Sequence, residues 1–279
     1  MFDNDFENKW CPGCGNFGIL EAMKKALAEL DLPPERACLI SGIGQAGKTS
    51  HFLNCNGFHG LHGRALPVAT GALLANHELK IIVNTGDGDC LGEGGNHFLH
   101  AVRRNVNLTV LLHNNKVFGL TQGQASPTSD LGMPTKAQPG GTLAQGLNPV
   151  GLALTLGAGF VARGFSGKPD HLAGLIKAAV EHKGLAFIDI LQPCPSFNKL
   201  NTYQWYSDRI YDLQDSGHPT DDLTAAWTAS REWGERIPIG MFHLSQGPSY
   251  TDKVPCLKAG PLVDRSYSPE PLRTLLRNI

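Results

Sequence analysis

Asp87 lies between two glycines in Gly86-Asp87-Gly88, and after a gap of 25 residues the chain carries a pair of carboxamides, Asn114-Asn115. Carboxylate and amide oxygens are hard ligands. Mg2+ accepts one or two of them and completes its octahedron with water and phosphate oxygens, while flanking glycines let the backbone come close to a phosphate. These residue types at this spacing point to Mg2+ clamping a diphosphate. Gly-Asp-Gly alone fits an ordinary turn equally well; the Asn pair at this distance is what favours the diphosphate site.

For the two groups to meet, each must end a strand. Residues 80–84 (KIIVN) read as one strand and 108–112 as the next. Between them, 94–104 form an amphipathic crossover helix with Phe98, Leu99 and Val102 on its apolar face. A tight acidic turn at Gly86-Asp87-Gly88 joins strand to helix, and Arg103 and Arg104 close the helix as solvated cations that suit its dipole. Such a unit brings both groups to the carboxyl edge of a parallel sheet, where folds of this kind bind ligands. The pattern resembles the thiamine diphosphate motif, in which the Asp, the second Asn and the backbone carbonyl two residues later hold the metal. Here these are Asp87, Asn115 and Val117.

Other stretches also carry chemistry. Cys11 and Cys14 stand two residues apart on a Pro-Gly turn, so they can bite one metal centre as a zinc, iron–sulfur or redox motif. The plainer reading is a pair of unconnected turn cysteines. A helix starts near Gly15, with Leu20, Met23, Leu27 and Leu30 at helical spacing, and Pro33-Pro34 end it. A strand over 37–40 leads into residues 42–49, GIGQAGKT, a literal match to the P-loop pattern. A P-loop must open a helix whose first amides hold the phosphates. The residues that follow, SHFLNCNGFHGLHG, read as a loop, so the nucleotide reading ranks below the diphosphate one. In the glycine-punctuated loop at 56–71, His59 and His62 have the spacing of metal ligands, and the same loop with Arg64 suits a diphosphate or a substrate carboxylate. A helix over 66–78 is small on one side. Beyond Asn115, KVFGLTQGQASPTSDLG is a polar loop at the mouth of the site, where binding work usually sits.

Composition bounds the class. Hydrophobic content of 41% and charged content of 18% are those of a soluble globular chain, and 279 residues suffice for one large α/β domain, with or without an extended tail. A net charge of -1 gives no reason to expect nucleic acid or an anionic membrane as partner. No apolar run reaches the roughly 18 residues of a membrane helix, and MFDNDFENKW lacks the basic flank and apolar core of a signal peptide. We therefore expect a cytoplasmic protein whose seven cysteines are thiols or metal ligands rather than disulfides. Further along, 133–146 read as a long surface loop, 148–156 and 169–181 as helices, and 160–162 and 186–191 as strands. The last strand ends on Gln192-Pro193-Cys194-Pro195, where a cysteine held between prolines has no evident packing role. Past Asn198 the pattern weakens. Trp205, Trp227 and Trp233 scatter without a strong strand, and a capped terminal helix runs from Ser268 through Leu275-Leu276, so this part reads as an arm over the domain or a partner.

Four separated signatures agree: WCPGCGNFGIL at 10–20, GFHGLHGRALPVATG at 57–71, the stretch from GDGDC to NNKVFGLTQGQASPT between 86 and 128, and FIDILQPCPSFN at 187–198. Together they resemble the beta subunit of the 2-oxoacid:ferredoxin oxidoreductases, the group that includes 2-oxoglutarate and pyruvate synthases. RIPIGMFH at 236–243 matches more loosely. The resemblance implies an α/β fold of the thiamine diphosphate-binding type, a mostly parallel sheet with helices on both faces. Residues 1–200 would form that domain and 201–279 the arm. It also implies oxidative decarboxylation of a 2-oxoacid to an acyl-CoA and carbon dioxide, with thiamine diphosphate as the electron sink and electrons leaving singly to ferredoxin. The glutamate that activates the thiamine aminopyrimidine belongs to an alpha subunit, so this chain is expected to need that partner. Asp87, Asn115 and Val117 would hold Mg2+. Gly86, Gly88, Asp89, His62, Gly63, Gly119, Leu120 and Thr121 would contact the cofactor, and His62, Arg64 and Lys48 are the candidates for catalytic or substrate contact.

Family beta subunits hold a 4Fe-4S cluster with four cysteines. Cys11, Cys14 and Cys194 match three of them, but Gln45 follows Gly42-Ile43-Gly44 where the third in order is expected. A carboxamide oxygen is a hard, neutral ligand, poor for iron in a sulfide cluster beside thiolate. Three outcomes stay open: a cluster with an unusual fourth ligand, substituted in principle by Cys38 or Cys55; a three-iron or labile centre; or no cluster. Glu93, where the family typically places an apolar residue, is a second departure. The rival readings are a non-oxidative or cluster-free thiamine diphosphate enzyme, a P-loop protein using Lys48 and Thr49, and a zinc-stabilised module on the three cysteines.

Overall fold

Runs such as IIV, TVLL and AFIDIL place β-branched and leucine side chains on both faces of a strand, which suits strands buried on both sides. A computed structural model, described for residues 1–266 and 268–277, shows what they build. The strands are β1 (Ala37–Ser41), β2 (Asn56–His59), β3 (Lys80–Gly86), β4 (Thr109–Asn114), β5 (Val117–Phe118), β6 (Gln124–Ala125), β7 (Phe160–Phe165), β8 (Ala186–Leu191), β9 (Ile210–Asp212) and β10 (Ile237–Leu244). The helices are α1 (Asn16–Glu29), α2 (Ala65–Ala75), α3 (Gly95–Arg104), α4 (Pro149–Thr155), α5 (Pro169–Glu181), α6 (Tyr203–Ser207), α7 (Leu223–Ser230), α8 (Tyr250–Lys253) and α9 (Glu270–Arg277).

Eight strands form one sheet in the order β2-β1-β3-β4-β8-β7-β10-β9, and β5 and β6 form a separate hairpin. The six strands from β2 to β7 are mutually parallel; β10 runs antiparallel to β7 and carries β9 alongside it. Alternate side chains feed two cores. Ile40, Val83, Val110, Leu112 and Phe187 pack on the side of α2, α3, α4 and α7, whereas Leu39, Ile82, Leu111, Ile188 and Ile190 pack on the side of α1 and α5. The mostly parallel sheet with helices on both faces is therefore as expected.

Several expectations need correction. β3 and β4 each run two residues further than the apolar pattern suggests, to Gly86 and Asn114, because polar Thr85 and His113 still pair in register. Asp87 does not sit in a tight turn: Gly88–Glu93 form a π-helical turn that feeds directly into α3. Leu99 faces outward, and Ala101 completes the buried face with Phe98 and Val102. The loop at 56–71 begins as an edge strand, β2, whose residues are all exposed and so lack an alternating signal. The boundary at residue 200 does not separate an arm from the sheet, since β10 enters it between β7 and β9. Pro238 and Gly240 obscure this strand in the sequence; the bulge between Met241 and His243 obscures its alternation. As the sequence suggests, no α-helix follows residues 42–49: Ala46–His51 is a short 3-10 turn and Thr49 donates its hydroxyl to the Ala46 carbonyl, so the P-loop pattern lacks the helix it needs.

Buried polar groups at the carboxyl ends of the strands mark where the sheet is specialised. His113 is fully buried, 2.8 Å from Asn16 Oδ1 through Nδ1, and burial lowers its pKa from 6.5 to about 3. The folded state thus holds His113 neutral while the unfolded chain takes up a proton below pH 6.5. Stability should fall as pH drops from 6.5 towards 3, by up to about 1.4 kcal/mol per unit from this residue alone. His113→Gln, which cannot charge, is expected to flatten that slope in denaturation midpoints measured from pH 7 to pH 5.

Candidate functional site

β3 and β4 are neighbours, with Gly86 opposite His113, so the residues that follow each strand emerge side by side at the carboxyl edge. Asp87, Asn115 and Val117 line one cavity there, joined by His62 from the loop before α2. Gly86, Gly88 and Asp89 form its floor, and Gly119, Leu120 and Thr121 from the β5–β6 hairpin form one wall. Gly88 is obligatory by contact, since a Cβ there would stand 2.3 Å from the Phe118 ring.

Asp87 is 1% exposed, and its Oδ2 accepts hydrogen bonds from Ser126 Oγ and Thr128 Oγ1, both 2.5 Å away. Burial raises the Asp87 pKa, and these hydroxyls together with the backbone amides of Asp87 and Gly88 oppose the rise. Among the described residues no lysine, arginine or histidine pairs with it. A carboxylate buried without a cation is costly, and a divalent cation at the cavity would remove that cost. Asn115 Oδ1 accepts from Val117 N at 3.0 Å, which closes the intervening residue into a turn. That residue, Lys116, has φ +63°. Its ammonium is held by Asp130 and the Thr128 carbonyl and lies 4.2 Å from the Trp233 ring centre, so buried contacts stabilise the strained turn. One carboxylate, one carboxamide and a backbone carbonyl form a hard donor set that fits Mg2+ and leaves positions for phosphate oxygens.

Asp89 has a different job. Its Oδ1 accepts from Gly63 N at 2.7 Å, Ile43 N at 3.1 Å and His62 Nδ1 at 2.6 Å, and its Oδ2 accepts from Thr85 Oγ1 at 2.6 Å. A Cβ on Gly42 would stand 2.1 Å from Oδ2. One carboxylate thus ties the loop after β1, the loop before α2 and the end of β3 together, and His62 reaches the cavity because Asp89 orients its ring. Gly63 sits beneath this junction. Lys48 and Arg64 stand apart from the cavity: Lys48 is half-buried on the 3-10 turn, and Arg64 is exposed and contacts His97 Nε2 at 2.5 Å.

Thr128, Arg163 and Asp189, whose roles the sequence does not single out, join Asn114 to complete the site. Thr128 Oγ1 bridges Asp87 to Asn114 Oδ1 at 2.8 Å, Asn114 Nδ2 donates to Asp189 Oδ1 at 2.9 Å, and Asp189 Oδ2 accepts from Arg163 Nε at 3.1 Å. Arg163 and Asp189 are in register on β7 and β8 and are each 1% exposed. The readable signal is one charge of each sign inside two otherwise apolar strands.

A second cavity adjoins the first. Cys11, Cys14, Cys194 and Gln45 line it under Trp10, and Gln45, Asn115 and Gly119 belong to both cavities. All seven cysteines are free, and burial raises the pKa of Cys14 to about 11 and also raises that of Cys194. Among the described residues no three His, Cys, Asp or Glu side chains are arranged to hold a metal ion. Ligands of a cluster stand further apart than those of a single ion, because the iron–sulfide core fills the space between them. Cys38 and Cys55 offer no substitute for the absent thiol: Cys38 lies near the amino end of β1 and Cys55 just before β2, at the opposite edge of the sheet.

A family profile described as thiamine pyrophosphate enzyme, C-terminal TPP binding domain, matches residues 42–190. A second, which describes the C-terminal part of the beta subunit of pyruvate ferredoxin oxidoreductase, matches 194–259. The chain is 50% identical over 246 residues to the beta subunit of 2-oxoacid:ferredoxin oxidoreductase 1 of Aeropyrum pernix, covering 85% of this chain and 77% of that one. It is 48% identical over 272 residues to the 2-oxoacid:ferredoxin oxidoreductase beta subunit of Saccharolobus solfataricus, covering 89% of each. Among solved structures, the 2-oxoglutarate:ferredoxin oxidoreductase from Magnetococcus marinus with 2-oxoglutarate, coenzyme A and succinyl-CoA bound superposes with a TM-score of 0.91. The identity is 38%, over 98% of this chain and 94% of that one.

Thr128→Val removes the hydroxyl that links Asp87 to Asn114 and leaves the groups around it buried without their partner. Stability is expected to drop by about 1–3 kcal/mol in denaturant titration. Mg2+ affinity in the presence of thiamine diphosphate should weaken by about 10–100-fold, as for other residues that orient a metal ligand.

Proposed function

The chain belongs to the beta subunits of the 2-oxoacid:ferredoxin oxidoreductases, and from that premise we propose that it supplies the diphosphate half of a thiamine diphosphate site shared with an alpha subunit. The assembled enzyme converts a 2-oxoacid and coenzyme A to an acyl-CoA, carbon dioxide and a proton, and the electron pair released passes one electron at a time to ferredoxin. 2-Oxoglutarate is the substrate favoured within that class, by analogy with the ligands of the Magnetococcus marinus relative.

The observation that carries this reading is the buried Asp87 carboxylate, unpaired with any cation and facing the cavity it shares with Asn115 and Val117. Thiamine diphosphate, when bound, supplies the carbon nucleophile and electron sink for decarboxylation. The chain's own residues bind and orient. Asp87, Asn115 and the Val117 carbonyl would hold Mg2+ against the diphosphate; Gly86 and Gly88 keep that floor free of side chains, and Gly119, Leu120 and Thr121 bound the wall. His62, oriented by Asp89, presents Nε2 as a donor or acceptor at the rim. Lys48 and Arg64, outside the cavity, would meet a substrate carboxylate or coenzyme A only as the partner brings it to them. Cys11, Cys14 and Cys194 would hold the iron–sulfur centre through which electrons leave.

Apolar exposure supports a partner over this face. Leu61, next to His62, is 74% exposed, and Leu120 at the cavity wall is 43% exposed. Independently of that face, the terminal helix α9 leaves Leu272, Leu275 and Leu276 exposed on one helical stripe. Among the described residues no helix is long and apolar enough to cross a membrane.

Co-expressed with its alpha subunit, the enzyme is expected to reduce ferredoxin only when a 2-oxoacid, coenzyme A and Mg2+ are all present, with 2-oxoglutarate turned over faster than pyruvate. Asp87→Ala should abolish Mg2+-dependent binding of thiamine diphosphate in calorimetry while the complex stays soluble. Undiminished affinity in that variant would overturn the assignment.

A further inference from the structure

We infer that the cavity between Trp10 and Phe197 is an iron–sulfur site with only three protein thiolates, in which Gln45 presents its amide oxygen to the remaining iron and leaves that iron exchangeable. This rests on the functional reading above and concerns how this chain differs from a four-cysteine site.

The thiols converge from separate segments. Cys11 and Cys14 sit on the turn that precedes α1, and Gly15 N donates to the Pro193 carbonyl at 3.1 Å, which docks that turn against the loop carrying Cys194. Gln192 Nε2 donates to Cys14 Sγ at 3.5 Å, and a donor at a buried sulfur favours sulfur that carries negative charge.

Gln45 occupies the remaining side. Its backbone is fixed, because Trp10 Nε1 donates to the Gln45 carbonyl at 2.9 Å, and its side chain passes beside Gly119. The Gln45 Oε1 atom is buried and has no hydrogen-bond partner. Gln192, 2% exposed, likewise leaves Oε1 buried and unpartnered at the same cavity. Two orphaned amide oxygens beside three thiols are acceptors in want of a cation or a donor. An iron ion supplies one, whereas an apolar filling would leave both oxygens unsatisfied.

Two consequences follow from replacing a thiolate by a neutral amide. The site carries one negative charge fewer, which raises the reduction potential relative to a four-thiolate cluster in the same surroundings. The iron facing Gln45 is also held weakly, since an amide oxygen is a poor ligand for this iron. A one-electron oxidant then converts a four-iron cluster in its ordinary oxidised state to a three-iron cluster. One electron goes to the oxidant, the iron departs as Fe2+, and all the sulfide stays with the three thiolate-bound irons.

The test is made on the complex with its alpha subunit, purified anaerobically and assayed for iron, sulfide and thiamine diphosphate before and after ferricyanide. The expected result is loss of about one iron per cluster with sulfide retained, together with a three-iron electron paramagnetic resonance signal. In Gln45→Cys, iron should be retained through the same treatment and the reduction potential should fall. Cys194→Ser should lose iron and sulfide while keeping thiamine diphosphate, which places the iron at these thiols even if the Gln45 variant does not fold. Full retention of iron in the unmodified protein after oxidation would overturn the inference. So would thiamine diphosphate without iron or sulfide, a result that leaves the functional reading intact. Absence of thiamine diphosphate as well would remove both.

Discussion

A buried carboxylate without a cationic partner is the constraint on which this structure turns. Asp87 is placed at the end of β3, where desolvation works against its charge, and the fold stabilises it with hydroxyls and amides rather than with a lysine or arginine. Neutral donors fix the position of the carboxylate without cancelling its charge. A cation entering the cavity therefore meets an oriented, uncompensated anion. Had Arg163 reached Asp87 directly, its charge would compensate the carboxylate; it reaches it only through Asp189, Asn114 and Thr128.

Two carboxylates separated by one residue are used in opposite ways. Asp89 has four hydrogen-bond donors and knits the loops around the cavity, whereas Asp87 is kept available at its floor. The π-helical turn at Gly88–Glu93 begins between them, and as a wider turn than an α-helix it sends the two side chains to different neighbours. Strain on the other side of the cavity is handled similarly. The left-handed Lys116 is held by Asp130 and Trp233, which lie outside the cavity, so the turn that presents Asn115 and Val117 does not depend on a ligand to form.

Much of this is legible in the sequence because it is local. The Asp87 to Asn115 spacing encodes two strands and a crossover helix, and α5 and β8 fall where their apolar periodicity puts them. What escapes is non-local or breaks its own pattern. β2 is exposed along its length, and β10 contains a proline, a left-handed glycine and a bulge; each becomes a strand only through its neighbours. The relay from Arg163 to Asp87 includes a hydrogen bond between residues 75 positions apart in sequence. Only the isolated charges in FVARGF and FIDIL hint at it. Ser126 and Thr128 read as part of a binding loop, but their role as the buttress of Asp87 requires the fold.

The two cavities at the sheet edge share Gln45, Asn115 and Gly119 as a common wall. A wall one residue thick means that a side chain facing the thiols also helps to shape the space beside the Asp87 carboxylate. The hairpin packs against both Gln45 and Asn115 at position 119, where a Cβ would be in ordinary contact with Asn115 Nδ2 at 3.6 Å and Gln45 Cγ at 3.7 Å. A thiolate at position 45 would place negative charge on this wall, close to a diphosphate on its other side. A neutral amide avoids that repulsion, so Gln45 would bear on the electrostatics of the proposed diphosphate site as well as on the proposed cluster site. Gln45 thus faces two cavities at once, and together with Asn115 and Gly119 it couples them.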